Sequence, residues 1–153
     1  MRALTILLAT LCLVAAGHAA DAVTGRVVKV LPFFLDQKGR DALSPSLFDR
    51  DAYQARLREH TNLVSGVRFD VQWKATRVPD KKFTITLELR GVGTNSLPRL
   101  TTLETNAVPG RFHQWTQIPL TGDDYKNFGN VLAWRVTLRD GGQVLGEQKS
   151  FLW

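Results

Sequence analysis

Cysteine is almost absent from this chain. The single one, Cys12, lies among the first twenty residues, MRALTILLATLCLVAAGHAA. That segment reads as a secretory leader, residues 1–20. Arg2 gives it a positive start, Leu4 to Ala16 an apolar stretch, and Gly17 to Ala20 small residues for cleavage. Gly17 and Ala19 place the mature start at Ala20, with cuts after Ala20 or Ala22 as alternatives. Two rivals compete. An uncleaved anchor would need an apolar run nearer the roughly 20 residues that span a bilayer. A lipid-modified Cys12 would need a small residue before it, but Leu11 precedes it inside the run. The expected mature domain is exported, periplasmic or extracellular, without a disulfide and without a stable transmembrane segment. An exported domain of this size held by its core alone favours a bacterial envelope.

Histidine is scarce too, with three in the chain. His60 and His113 belong to the mature part, and neither lies in a catalytic or metal-binding motif. There is no G-x-S-x-G elbow, no HExxH and no cysteine pair. Gly91-Val92-Gly93 lacks the third glycine of a phosphate loop. Asp123-Asp124 suits the first turn of a helix, where negative charge complements the dipole. The expectation is a protein that is not an enzyme, with no catalytic residue, no metal and no cofactor. An enzyme whose site is assembled from distant residues is the second alternative to a binding role.

Charge of one sign is in modest excess. The chain has 20 Lys and Arg against 14 Asp and Glu; losing Arg2 leaves 19 against 14, a net +5. Lys38, Arg40, Arg50, Arg56 and Arg58 form a mild concentration. No basic run is interleaved with aromatics as nucleic-acid platforms require, so nucleic acid is not an expected partner.

What the chain does have is alternation of apolar and polar residues, the mark of strands with one buried face. Val67 to Ala75 and Phe83 to Arg90 show it most clearly, joined by a turn at Pro79-Asp80. They read as a hairpin, with Val67, Phe69, Val71 and Trp73 sharing a face with Phe83, Ile85, Leu87 and Leu89. Ala133 to Arg139 and Gln143 to Phe151 form a second hairpin across Asp140-Gly141-Gly142, with Trp134 inward and Gly146 marking a bulge. Thr24 to Leu31, Leu100 to Thr105 and Phe112 to Leu120 complete about seven strands. Ser46 to His60 reads as a helix, N-capped by Asp49, with Phe48 and Tyr53 as a staple and Gln54 outward. Thr121 to Gly129 suits a single helical turn stopped by Gly129.

These spacings describe one domain over residues 21–153: an antiparallel β-sandwich with a helical insertion at about 44–61, between the first and second strands. In arrangement it resembles immunoglobulin-like and fibronectin III-like domains. It departs from antibody-type domains in lacking their cysteine framework, and Tyr125 falls too far before the strand at Val131 for a tyrosine corner. The chain also resembles small exported bacterial proteins of unknown function with that fold. The resemblance implies a location and an architecture, not an activity.

The leading expectation is a non-catalytic exported binding domain for a protein or envelope partner. Its expected contact region is residues 36–62, with Arg50, Tyr53 and Arg56. The alternative is a carbohydrate-binding module using exposed aromatics, Phe33, Phe34, Trp115 and Trp153 being the candidates. A polysaccharide is then the partner. Open strand edges, above all the final strand, would also allow a homo-oligomer.

Overall fold

The structure, a computed structural model, describes residues 22–93 and 95–153. The expected leader and Cys12 lie outside the described residues. Seven strands form two antiparallel sheets. The strands are β1 (Gly25–Asp36), β2 (Val64–Ala75), β3 (Phe83–Val92), β4 (Pro98–Ala107), β5 (Gln114–Thr121), β6 (Asn130–Asp140) and β7 (Gln143–Lys149). One sheet runs β1-β2-β5, the other β4-β3-β6-β7. Helix α1 (Leu47–Glu59) joins β1 to β2, and α2 (Gly122–Phe128) joins β5 to β6.

The core is made by the apolar phases of the two best alternating strands. Phe69, Val71 and Trp73 on β2 and Phe83, Ile85, Leu87 and Leu89 on β3 are fully buried. Each such side chain contributes roughly 1.5–3 kcal/mol on burial. Trp73 meets Phe83 at 6.2 Å between ring centroids, and Phe69 meets Trp134 edge-on at 6.5 Å, so aromatic pairs join the two sheets.

These contacts correct the expected hairpin of β2 with β3. The turn itself forms, with the Lys81 N–H donating to the Val78 carbonyl. The strands, however, lie in opposite sheets, because β2 is already flanked by β1 and β5, and β3 by β4 and β6. Facing each other across the core buries both apolar faces at once. The β6–β7 hairpin forms as expected. Gly141 takes φ 54°, the positive value needed at the first position of a two-residue turn, and a register shift falls beside Gly146. Strand β1 runs on through Pro32 to Asp36, since an edge strand tolerates a residue without an N–H.

The helix expected at 46–60 is present, but Ser46 is its N-cap, accepting from the Asp49 N–H at 3.3 Å. Asp49 sits one turn in and accepts from the Ser44 hydroxyl at 2.6 Å. Phe48 is exposed, so no staple forms. Gln54, expected outward, is buried. Its amide accepts from the Phe34 N–H at 2.8 Å and donates to the Phe34 and Asp41 carbonyls at 2.9 and 2.8 Å. The side chain thus satisfies the outer edge of β1, which would otherwise invite pairing with another chain.

Candidate functional site

The topology brings the start of β1, the β2–β3 and β4–β5 connections and the β6–β7 hairpin to one end of the sandwich. Lys81 from the first connection pairs with Asp140 of the hairpin at 2.7 Å, tying that end together. There a cleft of about 690 Å³ is lined by Arg26, Lys74, Arg77 and Arg111, with Thr24, Thr76 and Gly110 among its walls. The Thr76 N–H donates to the Thr24 carbonyl at 2.8 Å, and the Thr24 N–H to the Thr76 hydroxyl at 3.1 Å, which fixes the floor.

Among the described residues, four cations line this cleft and no carboxylate does. Among the described residues none of the four lies within 4.0 Å of a carboxylate. Arg26 and Lys74 are direct cross-strand partners, and both are exposed. Their neighbours Val27 and Trp73 point into the core, so the two cations project together from the outer face of the three-stranded sheet. Like charges held opposite each other cost stability, and a bound anion removes that cost.

The same outer face continues away from the cleft. Lys29, Gln72 and Trp115 form the next row across the three strands, followed by Leu31, Asp70 and Gln117. Trp115 is 50% exposed. Asp70 is neutralised by Arg68 at 2.6 Å. Phe112, also exposed, lies in the β4–β5 connection beside Arg111, whose guanidinium stands 5.7 Å from its ring centre.

The candidates expected from sequence are dispersed. Phe33 is buried on the outer face of β1, under Arg50 at 4.8 Å and Arg68 at 5.9 Å from its ring centre. Arg50 is thereby committed to Phe33, its Nε 3.7 Å from Asp51. Phe34 points the other way, into a small apolar cleft of about 220 Å³ with Pro32, Val67, Trp134 and Arg58. Tyr53 donates to Asp36 at 2.9 Å. Arg56 is exposed on α1 and makes no ion pair among the described residues. Trp153 stacks on the opposite sheet against Arg90 at 4.1 Å and Arg135 at 4.7 Å. Arg135 is itself held by Glu88 through two bonds of 2.6 and 2.8 Å. The aromatics therefore do not share one surface, and the 36–62 insertion covers the β1 edge.

Asp36 anchors that insertion. Burial pushes its carboxyl up, but the Arg40 N–H and guanidinium, the Tyr53 hydroxyl and the Lys38 N–H outweigh burial and hold it well below the usual carboxylate range. The final strand β7 is a sheet edge, yet Gln148 donates to the Val28 carbonyl of β1 at 3.2 Å across the two sheets.

Arg26, the Lys74–Arg77 segment and Arg111 are not legible as one site from sequence, because they come from three distant parts of the chain. The available signal was positional: Arg26 and Lys74 sit on the polar phase of strands, and Arg77 follows Lys74 in the β2–β3 connection, whereas Arg111 comes from the separate β4–β5 connection.

Among the described residues no helix is long and apolar enough to cross a membrane, and no group of three or more His, Cys, Asp or Glu gathers as a metal site would. No protein-family model and no curated protein matches the chain. Among solved structures it is similar to the crystal structure of a protein from Akkermansia muciniphila, with a TM-score of 0.52 at 14% identity over 84% of this chain and 70% of that one. At that identity the likeness concerns the fold alone.

Proposed function

We propose that this chain is an exported, non-catalytic binding domain of the immunoglobulin-like or fibronectin III-like class, and that it engages an anionic partner in the cell envelope. The strand order β1-β2-β5 against β4-β3-β6-β7 supports the class. The leader-like first twenty residues support export. The observation that carries the function is the cleft lined, among the described residues, by four cations and no carboxylate, at the end where the connections cluster. A rigid sandwich presenting binding residues from its loops is a common way to build such a site.

The test is retention of envelope components on the immobilised mature domain. The wild type is expected to retain a partner that elutes with moderate salt. Lys74→Glu with Arg77→Glu is expected to lose it. An unchanged set of retained components would overturn the assignment of the site.

A further inference from the structure

We infer that the ligand of the basic cleft is an acidic oligosaccharide, bound along the outer face of the three-stranded sheet from Arg111 to Trp115. This rests on the binding reading above and names the partner's chemistry.

Three features of that face converge. The Arg26–Lys74 pair, with Arg77 and Arg111, supplies cations that no carboxylate among the described residues pairs with. Trp115 stands in the next row of side chains, roughly 7 Å further along the strands, and half of its surface is open. Gln72 lies beside Trp115 in the same row, and Gln117 lies one row further on, where Asp70 is held by Arg68 at 2.6 Å; the two glutamines are amides that both donate and accept.

Each feature matches one part of an acidic sugar chain. Guanidinium forks bind carboxylate or sulfate groups. An open indole face suits the apolar C–H face of a pyranose ring. Neutral amides suit hydroxyl groups. A single phosphate would use only the cleft and leave Trp115 and the glutamines idle. An acidic peptide would satisfy the cations but has no regular flat ring to place on the indole. The strip extends over at least two rows of side chains, so a ligand of several units fits it better than a monosaccharide.

The experiment is calorimetric titration of the mature domain with oligogalacturonate, its methyl ester, poly-glutamate and oligothymidylate. Oligogalacturonate is expected to bind at least tenfold more tightly than each of the other three. Trp115→Ala is expected to weaken oligogalacturonate binding about tenfold and leave the weak poly-glutamate binding unchanged. Lys74→Gln with Arg77→Gln is expected to weaken both. Circular dichroism and thermal unfolding establish that each variant is folded.

Poly-glutamate binding as tight as oligogalacturonate, with Trp115→Ala silent, would overturn the sugar assignment and leave a charge-only binding domain. Oligothymidylate binding as tight and dependent on Trp115 would overturn it in favour of a single-stranded nucleic acid. No binding of any probe, while envelope retention still depends on Lys74 and Arg77, would also overturn it, but would leave the anionic-partner reading standing. Failure of both experiments removes the cleft as a binding site.

Discussion

Arg26 and Lys74 face each other directly in the β1–β2 ladder, both exposed, with no carboxylate within 4.0 Å of either among the described residues. A like-charge pair in that position destabilises a sheet by roughly 0.2–1 kcal/mol. If the pair is kept for binding, stability and affinity should move in opposite directions. Lys74→Gln is expected to raise unfolding stability by up to about 0.5 kcal/mol while weakening anion binding. Wild-type stability is expected to rise slightly as salt increases to about 0.15 M, where charges more than roughly 8 Å apart are largely screened. Urea unfolding at several salt concentrations reads both effects. A less stable Lys74→Gln would mark the lysine as a structural residue.

Gln54 is expected to be the most sensitive polar residue of the insertion. It is only 2% exposed and makes three bonds, two of them to the edge of β1. Gln54→Leu keeps the volume but leaves the Phe34 N–H and carbonyl without partners. The expected loss is about 2–3 kcal/mol, with faster hydrogen exchange at the Phe34 amide and concentration-dependent aggregation through the opened edge. Unchanged exchange at Phe34 would show that another group closes the edge.

The Asp36 network sets an acid limit. Its folded-state pKa lies below the unfolded value, so its stabilisation is complete above about pH 4. Stability is then lost as pH falls through the unfolded value and on toward the folded one. Asp36→Asn is expected to cost about 2 kcal/mol at pH 7 and to flatten the pH dependence below pH 4. Unfolding curves between pH 7 and pH 2 for both proteins test this. Parallel curves would place the acid sensitivity in other carboxylates, such as Glu88, whose bond to Arg135 outweighs its burial and lowers it.

The core offers a sharper stability test at Trp73. Its side chain is fully buried, and its Nε1 donates to the Thr116 hydroxyl at 2.8 Å. Thr116→Val preserves shape but strands the indole N–H in the core. The expected cost is about 1–2 kcal/mol, and Thr116→Ser is expected to recover most of it. Equal stability of the valine and serine variants would show the bond to be dispensable.

Alternation made the strands legible, because each has one face in the core and one in solvent. Val67 to Ala75 and Phe83 to Arg90 were unmistakable for that reason. Their pairing was not legible. Two apolar faces can lie side by side in one sheet or face to face across two, and the same residues serve either arrangement. Gln54 shows a second limit. A polar residue at a helical position reads as solvent-facing unless the strand edge it must satisfy is known. The basic cleft was the least legible feature, since Arg26, Lys74, Arg77 and Arg111 meet only after two sheets have stacked and the connections have gathered at one end. The basic group from Lys38 to Arg58 is denser in sequence, but in the fold Arg40 is paired with Asp36 at 2.7 Å and Arg50 is laid over Phe33.

An acidic oligosaccharide is expected to bind at the cleft end and along the Trp115 face, and not at the helical insertion. An amide chemical-shift titration of the mature domain with oligogalacturonate addresses it directly. The expected shifts fall on Arg26, Lys74 to Arg77, Gly110 and Arg111, with the Trp115 indole moving in step. Shifts centred on α1, or no shift at any amide, would contradict the account.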